Sequence, residues 1–247
     1  MTRIGIIGGS GVYTIDEIEH IKEDSLITPF GIFEYLLGKY HEKEVVFVAR
    51  HGKRHQLPPH LIPYRKIIWG MKELNVKYII ATSACGSLNE NMMPGDFVII
   101  DQFIDLTDGR EVTFFDTPGD FKHTDMTEPY SPYLREIITK VFEKMKVKFH
   151  NRGTYITMNG PRYETKAEIK MLQIIGGDLV GMTGTPEVIL ANEVGIQYAS
   201  IGIVTNFAAG ILSKKISHEE VVEMMNQKLP ILKKVILEII KEIKLEV

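Results

Sequence analysis

Short apolar runs that break off into glycine, hydroxyl or amide residues recur along this chain, and no other feature narrows its fold as much. Arg3-Ile4-Gly5-Ile6-Ile7 stops at Gly8-Gly9-Ser10-Gly11, and Glu44–Ala49 stops at Arg50-His51-Gly52. Tyr78-Ile79-Ile80-Ala81-Thr82 runs into Ser83-Ala84-Cys85-Gly86-Ser87, and Tyr198–Thr205 into Asn206-Phe207-Ala208-Ala209-Gly210. Runs of this length, rich in β-branched residues and closed by turn formers, predict buried strands. Phe97–Ile100, Gly153–Met158 and Asp178–Val180 predict shorter ones, the last followed by Met182-Thr183-Gly184. Between strands the apolar period becomes helical. Ile67, Ile68, Met71 and Leu74 share a face over Tyr64–Leu74, Pro132 opens a helix to about Lys146, and Thr165–Ile175 is a third. Thr185 reads as an N-cap with Pro186 at the first helical position, and Ser217 with Glu220 as a capping box. Leu232, Val235, Ile236, Ile239, Ile240 and Ile243 form one stripe opposite mixed lysine and glutamate, which predicts a packed amphipathic helix rather than one lying on a membrane. The alternation predicts a single α/β domain over residues 1–247, with a mixed, mostly parallel sheet flanked by helices. Asp105–Tyr130 is irregular and polar, a loop long enough to suggest a functional task.

The bulk numbers exclude several partners. A formal net charge of -3 with 25% charged residues gives no reason to expect nucleic acid or membrane. The single cysteine, Cys85, rules out an internal disulfide and suits a reducing cytosol. The N-terminal apolar run is too short for a signal peptide and no stretch is long enough to span a bilayer, so a cytoplasmic protein with a small-molecule partner is expected.

In α/β sheets ligands bind beyond the carboxyl ends of parallel strands, where these breaks fall. Collected there, the Ser10 and Ser83 hydroxyls, the Arg50 guanidinium, the His51 imidazole, the Thr183 hydroxyl and backbone amides beside small residues suit a tetrahedral oxyanion such as phosphate. Singly each has a plainer reading: a turn glycine, a strand terminus at Ser83, a surface pair at Arg50-His51. A dinucleotide fingerprint fails, because Thr14 stands where Gly9 and Gly11 require a third glycine. No triphosphate loop, zinc-binding H-E-x-x-H or paired C-x-x-C occurs, and the glycines and prolines around His51 and His55 argue against a helical metal pair.

Gly8-Gly9-Ser10-Gly11, Ala49-Arg50-His51-Gly52, Ser83-Ala84-Cys85-Gly86-Ser87, Asn159-Gly160-Pro161-Arg162-Tyr163-Glu164-Thr165 and Gly181-Met182-Thr183-Gly184-Thr185-Pro186-Glu187 occur in that order. The series resembles the trimeric purine nucleoside phosphorylase and methylthioadenosine phosphorylase family from Ile4 to about Glu220. The resemblance implies a single-domain nucleoside phosphorylase-like fold, a homotrimer, and phosphorolysis of a purine nucleoside to base and ribose 1-phosphate. It implies inorganic phosphate as co-substrate and no metal or organic cofactor. By the same resemblance Ser10, Arg50, His51, Ser83, Ala84 and Thr183 hold phosphate, Met182 packs under the ribose and Tyr163 lies against the base. The stretch Asn206-Phe207-Ala208 lines the substrate, with Asn206 catalytic. His123 resembles a residue that reaches a neighbouring subunit's site; a solvated loop histidine is the alternative.

Specificity turns on hydrogen-bond polarity. Guanine and hypoxanthine present an acceptor at O6 and a donor at N1, whereas adenine reverses both. Ionised Glu164 only accepts and Asn206 can donate, which fits the 6-oxopurines, inosine and guanosine. Adenosine-type members of the family carry aspartate at the Asn206 position and lack this glutamate. Glu164 could instead simply favour a helix start. His218 can bond a 5′-hydroxyl, whereas members acting on methylthio nucleosides are apolar there; a surface histidine is the alternative. The competing functions are a methylthioinosine phosphorylase, a methylthioadenosine phosphorylase, a dinucleotide-dependent oxidoreductase and a non-catalytic nucleotide-binding module.

Overall fold

The computed structural model describes residues 2–245 except Gly11, Tyr13, Thr14, Asp16 and residues 213–216. Gly11 and Thr14, on which the dinucleotide test turns, therefore lie outside the described residues. In chain order the strands are β1 (Arg3–Gly8), β2 (Glu19–Thr28), β3 (Gly31–Tyr40), β4 (Lys43–Ala49), β5 (Val76–Ser87), β6 (Phe97–Ile99), β7 (Gln102–Asp105), β8 (Phe149–His150), β9 (Thr154–Thr157), β10 (Leu179–Gly181) and β11 (Gln197–Phe207). The helices are α1 (Tyr64–Glu73), α2 (Pro132–Lys144), α3 (Lys166–Ile174), α4 (Thr185–Glu193) and α5 (His218–Glu242).

All the strands belong to one mixed, mostly parallel sheet organised on β5. β11 runs parallel along one edge of β5, while β1 pairs with the first half of the other edge. Successive side chains of a strand face opposite ways, and the core divides accordingly. Ile4 and Ile6 pack with Leu134 and Ile138 of α2 and Val235 and Ile236 of α5. Ile7, Ile79 and Ala81 pack on the opposite face with Ile68 and Met71 of α1 and Val188 and Leu190 of α4. The six residues of the C-terminal stripe are all buried, and α5 is one helix that carries Pro230 within it. No helix among the described residues is long and apolar enough to cross a membrane.

Four local expectations are corrected. The apolar pattern assigns no element to residues 21–43, where β2 and β3 form an antiparallel hairpin. β2 is an edge strand and carries the charges that such edges use against further pairing, which erases the alternation. β5 does not end at Thr82 but continues through Ser87, because β11 pairs with it throughout. Asn206 lies inside β11 rather than after it. The N-cap of α4 is Gly184, not Thr185: at φ +91° it takes a turn that favours glycine, and Thr185 becomes the first helical residue. The long loop is tied down on α1 and α4, with Arg65 paired to Glu111 and Asp116, and with Glu193 accepting from the Phe114 amide at 2.8 Å.

Candidate active site

The site opens where the sheet divides. β1 leaves the edge of β5 at Ala81, and β10 joins that edge only at Gly86 and Ser87. Between them Thr82 to Cys85 pair with β11 alone, so backbone and side chains there face a gap. The turn after β1 folds across it, with the Gly9 amide donating to Thr82 Oγ1 at 2.9 Å. A side chain at Gly9 would come within 2.4 Å of Thr82 O, so this approach requires glycine.

A cavity of about 510 Å³ fills the gap, and Ser10, Arg50, His51, Ala84, Tyr163, Glu164, Met182, Thr183, Asn206, Ala208 and His218 all line it. Residues as far apart in the chain as Ser10 and Val221 thus meet in one place. Ser83 is buried beside it and its hydroxyl has no hydrogen-bond partner among the described residues. Phe207 does not line this cavity; it lines an adjoining one of about 320 Å³ that shares Thr205, Asn206 and Ala208. His123 does not line it either; it lies in the long loop with its ring edge-on to Phe121, 5.4 Å away. Among the described residues no group of three or more His, Cys, Asp or Glu is placed to hold a metal.

Within the cavity lining, Arg50 is almost fully buried. Its Nε and Nη2 donate to the two oxygens of Glu187, the latter at 2.9 Å, and Nη1 donates to Thr82 O at 2.6 Å. Burial opposes the guanidinium charge, but Glu187 more than offsets it and holds the group above its usual range. His51 places Nδ1 2.8 Å from Leu57 O. A carbonyl only accepts, so Nδ1 carries the proton. Burial chiefly, and Arg50 beside it, lower His51 to about 4, so at neutral pH its Nε2 presents a lone pair. That nitrogen suits the hydroxyl of a monohydrogen oxyanion.

A bulge aims Asn206. Val204 pairs with Cys85 and Asn206 with Gly86, so Thr205 is the extra residue. Such bulges turn a side chain relative to its strand. The Asn206 Nδ2 donates to Phe207 O at 2.9 Å, and the Thr205 hydroxyl donates to Asn206 Oδ1 at 2.8 Å. The amide is therefore held with Thr205 at its carbonyl and, among the described residues, one N–H spare, beside Gly86, which also lines the cavity. Glu164 is buried and its carboxyl is pushed up from its ordinary value, first by desolvation. Nearby Arg162 opposes that rise only as a lesser effect, since its two terminal nitrogens bond Glu168 at 2.9 and 2.7 Å. The cavity thus brings a carboxylate acceptor and an amide donor together with hydroxyl, imidazole and guanidinium groups.

Several lining residues escape the sequence reading. His55, Gln56, Leu57, Pro58 and Pro59 wall the cavity because the loop after β4 folds back, the Leu57 amide donating to His51 O at 3.0 Å. The prolines were the signal, marking a fixed turn. Glu187 and Tyr198 are buried partners of the site; an acid opening the apolar run Val188-Ile189-Leu190 hinted at the first.

Known proteins resemble this chain in sequence and in fold. A 6-oxopurine nucleoside phosphorylase of Pyrococcus furiosus is 50% identical over 92% of this chain and 88% of its own length. A probable S-methyl-5'-thioinosine phosphorylase of Methanothermobacter thermautotrophicus is 44% identical over 91% of this chain and 79% of its own. The structure of methylthioadenosine phosphorylase from Schistosoma mansoni in complex with adenine superposes with a TM-score of 0.93 at 33% identity, covering 98% of this chain and 91% of that one. The family sequence pattern of the phosphorylase superfamily matches residues 3–241, so the divided sheet and the cavity within it both fall inside the match, and the chain belongs to that superfamily.

Proposed function

We propose that this chain is a purine nucleoside phosphorylase that cleaves 6-oxopurine nucleosides, inosine and guanosine, with phosphate to give the free base and ribose 1-phosphate. The observation that carries this reading is the pairing of Glu164, an acceptor, with the fixed N–H of Asn206, a donor, in one cavity. A 6-oxopurine complements both groups through N1–H and O6 or N7. Adenine would set its N1 lone pair against Glu164 and cost at least ~1–3 kcal/mol.

Ser10, Arg50, His51, Ser83, Ala84 and Thr183 are the proposed phosphate contacts, with Met182 under the ribose and Tyr163 against the base. Phosphate fixed beside C1′ supplies proximity as the glycosidic bond breaks. The departing purine gathers negative charge, and the spare Asn206 N–H stabilises that charge more than it stabilises the bound nucleoside. Inorganic phosphate is the co-substrate, and no metal or organic cofactor is proposed. The enzyme is proposed to work in purine salvage as a cytoplasmic homotrimer, with His123 reaching a neighbour's cavity.

One observation favours a second reading. His218 and Val221 both line the cavity, one helical turn apart, so the 5′ end has a polar and an apolar neighbour. S-methyl-5′-thioinosine is the corresponding alternative substrate. Comparing kcat/KM for inosine and methylthioinosine, with and without phosphate, tests both. Higher efficiency on inosine is expected; a preference for the thioether would move the assignment, and base release without phosphate would remove it.

The pH profile provides a further test. Glu164 must be ionised to accept N1–H, and burial raises its pKa. kcat/KM for inosine is therefore full above that raised value and falls as pH drops through it, at higher pH than an exposed glutamate would give. His51 is lowered to about 4, so it is neutral at the upper end of this profile. Replacing Glu164 with glutamine should lower activity and abolish this acid limb; an unchanged limb assigns it to another group.

A further inference from the structure

Arg50 has five N–H donors and, among the described residues, three are engaged by protein, two by Glu187 and one by Thr82 O. One N–H on each terminal nitrogen remains, and Arg50 lines the cavity. Glu187 has no exposed surface, and its Oε2 also accepts from the Tyr198 hydroxyl at 2.7 Å. Burial and the nearby Glu187 push the Tyr198 phenol well above its usual range, so it remains a donor. The guanidinium plane is thus fixed from α4, β5 and β11 together, through Glu187, Thr82 and Tyr198.

Fold stability alone gives this arrangement little reason to exist. Buried ion pairs gain little over well-packed apolar residues of similar size. The pair is neutral as a whole, so it cannot hold an anion by net charge. What it can do is direct two preorganised N–H groups, which is how dipolar sites stabilise anions without reorganising. A guanidinium free to rotate about its long side chain would lose that direction.

We propose that Glu187, assisted by Tyr198, is a positioning residue for the phosphate co-substrate: it sets the plane of Arg50 so that the two spare N–H donors meet the anion. The inference rests on the phosphorylase reading above.

The test measures KM for phosphate at saturating inosine and KM for inosine at saturating phosphate. It compares the wild-type chain with Glu187→Gln and Tyr198→Phe. Glutamine offers one acceptor and one donor, so one Arg50 contact is lost and the plane is released. Phosphate KM should rise roughly 10- to 100-fold in Glu187→Gln, the cost of a misplaced group, while inosine KM stays within about twofold. Tyr198→Phe keeps the ion pair and should raise phosphate KM by roughly threefold, the loss of one supporting hydrogen bond. An unchanged or lowered phosphate KM in a folded Glu187→Gln overturns the proposal, as does an equal rise in both KM values, which would mark a merely structural role. If Glu187→Gln does not fold, Tyr198→Phe decides alone, and an unchanged phosphate KM there is equally fatal. Phosphate-independent base release by the wild type would instead sink the phosphorylase reading, an outcome distinct from either.

Discussion

Replacing Asn206 with alanine lowers kcat for inosine by on the order of 100-fold or more, the size of losing one preorganised donor to a developing anion. The physical case lies in how little freedom the amide has. Thr205 is an extra residue in β11, so the strand kinks and presents Asn206 to the cavity. The Phe207 carbonyl, 2.9 Å from Nδ2, can only accept, and this fixes which end of the amide carries nitrogen. The Thr205 hydroxyl occupies the other end at 2.8 Å. The remaining N–H needs no rearrangement when negative charge arrives on the purine. Because the stabilisation grows in the transition state, kcat should fall more than KM rises. A near-normal kcat in a folded Asn206→Ala variant would remove this residue from the chemistry and leave the leaving group to be stabilised elsewhere.

What the sequence made legible, and what it hid, follows from the range of the interactions. The strands β1, β4 and β11 and the stripe on α5 are read from local apolar period, because each buries one or both faces against a nearby layer. The β2–β3 hairpin is hidden, since an exposed edge strand needs charge rather than alternation. β5 is read as ending five residues too early: Ser83 to Ser87 have the small, polar look of a turn and stay extended only because β11 lies beside them. The site shows the same division. Ser10, Arg50, His51, Ala84, Thr183 and Asn206 are legible as residue types at or near strand ends and Glu164 as a carboxylate before a helix, and they do line one cavity. The bulge at Thr205, the Leu57 carbonyl that sets the His51 tautomer, and the Glu187 carboxylate under Arg50 are tertiary facts. They decide which atoms of the legible residues face the ligand, and no local pattern encodes them.

The double replacement Asn206→Asp with Glu164→Ser should shift preference toward adenine nucleosides, raising the ratio of adenosine to inosine turnover by on the order of 10- to 100-fold. Aspartate accepts from the adenine amine where asparagine offered a donor to O6. Serine can donate to adenine N1, and its introduction removes the carboxylate that would face that lone pair. Both changes are needed, because Asn206→Asp alone would set two acceptors in one small cavity. The structure also limits the gain. The side-chain atom 2.9 Å from Phe207 O is a nitrogen in this chain, and an aspartate oxygen there would meet a second acceptor. That side chain must turn away, giving up part of the preorganisation that Thr205 and the bulge provide. Most of the shift should therefore come from lost inosine turnover, with adenosine turnover rising little in absolute terms. Measuring kcat/KM for both nucleosides in the two single variants and the double separates these contributions. If the adenosine-to-inosine ratio does not rise in the double variant, donor and acceptor polarity at residues 164 and 206 is not what selects the purine, and the 6-oxopurine assignment loses its main support.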